Sequence, residues 1–142
     1  MTEHGSLSET YVAAIQHDLV DLEGATPVGV VRRPPGWFHA SVDENVRELG
    51  PPDVLLDEVH ERREDLAMAG MCNEGAHNAA WEEVDFETRY REYLATDDTA
   101  GDAIDALRDR LHAGEDLVLV CFEADNKRCH RHALVDELRG RL

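Results

Sequence analysis

One segment near the C-terminus constrains the fold more than any other part of the chain. The apolar run Leu117–Cys121 contains β-branched residues and predicts a buried strand. A short polar stretch follows, and then Cys129, His130 and Arg131 open a helix predicted to run to Leu142. A buried strand that leads through a short loop into a helix is typical of α/β proteins, which bind ligands at the carboxyl ends of their strands. The segment therefore predicts a fold class and the position of a site.

Two other apolar segments predict further strands. Val28–Val31 is short and β-branched, and it ends in Arg32–Gly36, a stiff proline-rich loop that cannot continue a β-ladder. The residues from Ser8 to Leu22 fit either a helical stripe or a strand followed by a turn, and we expect a strand at their start. Later in the chain, Ala69–Glu83 is polar and contains two glycines, which predicts a long loop.

Apolar spacing and capping residues predict helices in the rest of the chain. These are a short helix over Asp43–Leu49, a helix with Pro52 in its first turn, a helix over Phe86–Leu94 with Asp85 as its N-cap, and a helix that ends at His112 with Thr99 as its N-cap. Strands separated by helices predict one α/β domain over residues 1–142, with a mainly parallel sheet flanked by helices in a Rossmann-like three-layer arrangement.

In such a sheet the strands that begin near Val28 and Leu117 would run in the same direction and end at one edge. Arginines follow the first of these strands, and a cluster of cations follows the second. We therefore expect five basic residues to converge at the carboxyl edge: Arg32, Arg33, Lys127, Arg128 and Arg131.

The whole chain, unlike this cluster of basic residues, carries a large negative charge. The 142 residues include 31 acidic and 14 basic ones, which gives a formal net charge of −17, and Lys127 is the only lysine. An acidic, lysine-poor composition resembles that of proteins adapted to concentrated salt, in which self-repulsion is screened. Non-specific binding to nucleic acid is excluded by this balance, because neutralising phosphates needs clustered cations.

The sequence also bears on location. Its first residues lack a cationic start and an apolar core, so we expect no signal peptide there, and no apolar stretch in the sequence is long enough to cross a membrane. We therefore expect a cytoplasmic protein. In that compartment Cys72, Cys121 and Cys129 are expected to be reduced, as thiols or metal ligands rather than as a disulfide framework.

The C-terminal motifs resemble the signature of a known family, the domain of unknown function 488. Cys121-Phe122-Glu123 matches a Cys-x-Glu at the end of an apolar strand, and Cys129-His130-Arg131 matches a Cys-His-Arg triplet a few residues later. Val28–Pro35 is similar to the family's strand and Arg-Pro loop, although a valine replaces the usual aspartate before the arginine. The resemblance extends over about residues 27–142. It implies an α/β fold with a site at the triplet, and it implies no particular reaction.

The first hypothesis for this site is an anion-binding pocket. A guanidinium that donates two hydrogen bonds, together with a helix N-terminus, suits a phosphorylated metabolite, a nucleotide or the end of a nucleic acid. Trp37 or His39 would stack on a base. The structural alternative is that Arg131 pairs with Glu123 and fixes the strand–helix corner. The predicted ligand-binding residues are Arg32, Arg33, Cys121, Glu123, Arg128 and Arg131.

A second hypothesis is thiol chemistry, in which Cys129 is a nucleophile or redox centre, His130 assists it and Cys121 is the resolving partner. The layout is similar to that of rhodaneses and cysteine phosphatases, but no arginine follows Cys121 at the expected spacing. The structural alternative is that Cys121 is simply a buried core residue. The sequence does not decide whether the protein is an enzyme or which cofactor it uses.

A third hypothesis is that the protein binds a metal ion or a partner protein. Cys121, Cys129, His130 and His132 are metal-binding residue types, and Cys72 with His77 would complete a site. Adjacent helical residues point in different directions, and the spacing matches no zinc motif, so we predict no metal. A partner protein would dock on the predicted loop Ala69–Glu83.

Overall fold

The computed structural model describes residues 4–22, 24–122 and 129–142, and it contains a four-stranded sheet in these ranges. The strands are β1 (Leu7–Tyr11), β2 (Thr26–Gly29), β3 (Glu44–Asn45) and β4 (Leu117–Cys121). Their order is β1-β4-β2-β3, and every neighbouring pair is parallel. The predicted α/β fold with a parallel sheet is therefore confirmed, and so is the strand expected at the start of the Ser8–Leu22 region.

The central strand is β4, in which every residue is buried. It pairs with β1 on one side, where Tyr11 lies opposite Cys121, and with β2 on the other, where Val28 lies opposite Leu119. A strand covered on both faces needs a continuous apolar sequence, as the run from Leu117 has.

Helices account for most of the remaining described residues. They are α1 (Val12–Gln16), α2 (Asp53–Met68), α3 (Asn73–Glu83), α4 (Phe86–Thr96), α5 (Asp98–His112) and α6 (Arg131–Gly140), with 3₁₀ turns at Gly36–Ala40 and Arg47–Leu49. The longer helices pack on one face of the sheet around Leu117 and Leu119, and α1 and the first 3₁₀ turn pack on the other around Val118 and Val120. This gives three layers.

Close contact in the second layer depends on Gly29, at the end of β2. A Cβ atom at this position would lie 2.5 Å from the ring of Phe38 and 2.6 Å from the side-chain oxygen of Asn45. Glycine therefore lets the 3₁₀ turn that carries Phe38 lie directly against the strand. This contact holds the segment after β2 in place beside the end of β4.

The structure corrects three local predictions. Asp43–Leu49 is not one helix, because β3 pairs with β2 before the 3₁₀ turn begins. Ala69–Glu83 is not a long loop, because Ala76, Ala80 and Trp81 bury one face of α3. Thr99 is not the N-cap of α5: the carboxylate of Asp97 accepts the Ala100 N–H at 2.9 Å and performs that role.

No helix in the described ranges has both the length and the apolar composition that crossing a membrane requires.

Candidate functional site

The ends of β2 and β4 lie side by side at the carboxyl edge of the sheet. Gly29 pairs with Val120, and the N–H of Val30 still donates to the Val120 carbonyl at 3.0 Å. Beyond this hydrogen bond the two strands diverge, one toward Arg32 and the other toward Cys121. A cavity of about 150 Å³ lies where they separate, and α2, α3 and α4 complete its wall.

One face of α2 supplies the outer part of this wall. Leu56, Val59, His60 and Arg63 line the cavity at the i, i+3, i+4, i+7 spacing that places helical residues on one face. The guanidinium of Arg63 forms no ion pair with any carboxylate in the described part of the chain. Sequence reasoning missed Arg63, although its spacing from Leu56 and Val59 contains the signal.

α3 and α4 supply an aromatic wall. The Trp81 ring stacks on Phe86, with centroids 3.7 Å apart and planes 21° from parallel, and His77 lies 5.9 Å from Trp81. All three line the cavity. Trp37 and His39, the stacking residues expected from the sequence, lie instead on the 3₁₀ turn of the other layer, where Trp37 contacts Phe122.

Arg32 and Arg33, which were predicted to bind a ligand, line the cavity, and both guanidiniums have protein partners. Arg32 donates to the carbonyls of Pro51 and Gly50 at 3.1 and 3.0 Å and to the Tyr93 hydroxyl at 2.7 Å. Arg33 pairs at the surface with Asp53 and Asp57. These partners orient both side chains. Of the three arginines that line the cavity, Arg63 alone has a guanidinium that forms neither an ion pair nor a hydrogen bond with another described residue.

The two cysteines lie together at the inner end of the cavity. The Sγ atoms of Cys121, at the end of β4, and Cys129, before α6, are joined as a disulfide, and both residues are buried. This corrects the expectation of reduced thiols for the pair, because the strand end and the helix start meet here. Cys72 is a free, exposed thiol whose Sγ accepts the Gly75 N–H and caps α3.

His130 is buried beside this pair. Its Nε2 lies 2.5 Å from the Val30 carbonyl oxygen, and because a carbonyl only accepts, this nitrogen carries the hydrogen. The other ring nitrogen, Nδ1, then presents its lone pair, and it lies 3.7 Å from the Cys129 Sγ. Burial lowers the pKa of His130 to about 4, so the ring is neutral at pH 7.

Arg131 lies at the same edge of the sheet but faces away from the cavity. Its guanidinium, 1% exposed, donates to the Cys121 Sγ at 2.8 Å and to the Glu9 carboxylate at 3.2 Å, and it lies over the Tyr11 ring. These are contacts on the β1 side of β4, whereas Arg32 and Arg33 lie on the β2 side. The structure therefore does not place the three arginines around one pocket, and the cysteines lie between them.

Glu123, Lys127 and Arg128 lie outside the described residues. His132 contacts the Glu9 carboxylate. In the described part of the chain, no three residues of the metal-binding types come together as a metal site.

The chain was matched to a protein family but to neither a curated protein nor a solved structure. A family model described as "Active DUF488-N3 subclade" matches residues 10–142 and therefore includes the cysteine pair, His130 and the cavity wall. With most of its length matched, the chain belongs to the DUF488-N3a family, as the Cys-x-Glu and Cys-His-Arg motifs indicated.

Proposed function

We propose that the cavity binds a small anion, most simply the phosphorylated end of a metabolite or nucleotide. The observation that carries this proposal is the composition of the wall. Arginine and histidine side chains contribute to it, and no acidic residue does so among the described residues, in a chain with a net charge of −17. A cationic wall in an acidic protein concentrates anions where the rest of the surface repels them.

The volume of the cavity and its aromatic wall limit the range of ligands that fit. A volume of about 150 Å³ is smaller than the roughly 300–1,000 Å³ of sites that enclose drug-sized molecules. The cavity therefore suits a phosphate group together with a small attached part, and a larger remainder would extend toward solvent past His60 and Arg33, which are exposed. Trp81 and Phe86 offer apolar contact to the attached part.

Arg63 is the residue whose loss tests this function most directly. Calorimetry with AMP as the ligand should detect binding, and adenosine should bind much more weakly because it lacks the phosphate. Since hydrogen bonds to charged groups contribute about 1.5–3 kcal/mol, Arg63→Ala should weaken AMP binding by about tenfold or more. Arg108→Ala is the matched control, because Arg108 lies on α5 and pairs there with Asp105 and Asp109.

Two results would contradict the proposal. One is that AMP and inorganic phosphate fail to bind the wild-type protein at millimolar concentration. The other is that Arg63→Ala and Arg108→Ala bind AMP with equal affinity, because binding would then reflect a site elsewhere on the surface.

A further inference from the structure

The cysteine pair has an arrangement that anion binding does not require. Cys121 ends the central strand and Cys129 precedes α6, and their sulfur atoms are joined. A bridge at this point is not needed to close the core, because both residues already pack in the buried cluster around Val118 and Val120. Both also line the cavity, so a small reactant inside it would meet sulfur.

Each sulfur has a different polar neighbour, and the difference is chemically useful. The Arg131 guanidinium donates to the Cys121 Sγ at 2.8 Å, and a cation at this distance favours a thiolate over a thiol. The Cys129 Sγ instead lies 3.7 Å from His130 Nδ1, whose lone pair is placed to accept a hydrogen bond from the thiol. The carboxylate of Glu9, which lies on β1, forms an ion pair with Arg131 and so compensates its buried charge.

We propose that Cys121 and Cys129 form a redox-active dithiol–disulfide pair that exchanges with a low-molecular-weight disulfide entering the cavity. In the reduced protein, Cys129 loses its proton to solvent and its sulfur attacks one sulfur of the small disulfide. The disulfide bond of the small molecule breaks, and one half leaves as a thiolate that takes a proton from water. The other half stays joined to Cys129 as a mixed disulfide.

The second step closes the protein disulfide. The Cys121 thiolate attacks the Cys129 Sγ, the mixed disulfide breaks, and the second half of the small molecule leaves as a thiolate that takes a proton from water. Two electrons pass from the two cysteines to the small disulfide, which becomes two thiols. The reverse sequence reduces the protein. This activity is independent of anion binding, because the reactant needs no charge.

The test uses the Cys72→Ser protein, which removes the exposed third thiol. The reduced protein is mixed with 2-hydroxyethyl disulfide, a neutral reactant, so that failure of the anion proposal does not affect the result. We expect release of two small thiols per protein and an intramolecular disulfide by intact-mass measurement. The further change Cys121→Ser should stop the reaction at the mixed disulfide on Cys129, with one small thiol released.

The neighbours of the pair provide a second measurement. In glutathione redox buffers, Arg131→Met should shift the equilibrium toward the disulfide by about tenfold, because a stabilised thiolate favours the reduced form. Arg131→Lys keeps the charge and should shift it much less. Circular dichroism establishes that each variant is folded, and Cys72→Ser alone tests the proposal if the arginine variants are not.

Three results would overturn the inference. The folded Cys72→Ser protein would leave 2-hydroxyethyl disulfide unreacted, or both cysteines would end as separate mixed disulfides, or dithiothreitol would reduce the pair only after urea had unfolded the protein. The last result would identify a purely structural bridge.

Discussion

The ring of His130 shows how much of a site can be decided by one neighbour. The Val30 carbonyl fixes the hydrogen on Nε2, and burial keeps the ring neutral, so Nδ1 is available toward Cys129. The sequence predicts His130 beside Cys129 but not its tautomer, because Val30 lies a hundred residues away in the chain. Arg131 is a similar case: its position in the first turn of α6 was predictable, and its direction was not, because Glu9 and Tyr11 of β1 determine it.

The lowered pKa of His130 predicts a loss of stability in acid. The unfolded chain takes up a proton near pH 6.5 and the folded protein only near pH 4, so the free energy of unfolding should fall as pH drops through this window. The loss should be about 3 kcal/mol at pH 4. Urea unfolding of wild type and His130→Gln from pH 7 to 4 measures it, with the exposed His112→Gln as control. Parallel curves for wild type and His130→Gln would contradict this assignment.

Single elements differed in how well the sequence predicted them. β4, α4 and α6 have apolar patterns that tertiary contacts reinforce, so they were predictable. α3 was not, because its buried face consists of alanines, His77 and Trp81 among glycine and asparagine, and this composition is more typical of loops. The missed helix contributes His77 and Trp81 to the cavity wall, and so the aromatic part of the site was also missed.

The start of α5 gives a prediction about one element. The Asp97 carboxylate accepts hydrogen bonds from the Ala100 N–H and the Thr99 hydroxyl, and these bonds lower the pKa of Asp97. Asp97→Ala should lower the free energy of unfolding by about 1 kcal/mol, because it removes the N-cap. Thr99→Ala is the matched control and should cost less, because the cap remains. Equal losses in urea unfolding would show that Thr99 is as important as the cap.

For the whole molecule, the dominant property is a net charge of −17. Ion pairs such as Arg62–Glu83 and Arg89–Glu58 use part of the acidic excess, but the 14 basic residues cannot balance 31 acidic ones. Repulsion among the remaining carboxylates opposes the compact state. This balance is fully predictable from composition, whereas the local cationic wall depends on the fold.

Salt should therefore stabilise the protein. Raising KCl from 0.1 M to 1 M shortens the screening length from about 10 to 3 Å, and we expect the thermal midpoint to rise by about 3 °C or more. Scanning calorimetry at pH 7 measures the shift. Near pH 4.6, where the net charge is close to zero, the increase should largely disappear. A midpoint that falls with salt at pH 7 would mean that ion pairs outweigh repulsion.

The position of β4 has a consequence for how the protein is made. Residues 117–121 pair with both β1 and β2, yet they follow every other described strand in the chain. Until the ribosome has released them, β1 has no neighbour, and the β2–β3 ladder spans only two residue pairs. Parallel pairing across more than a hundred residues is slow to form. We therefore expect helices to form on the nascent chain before the sheet does, and we expect their apolar faces to be prone to aggregation until β4 has been made.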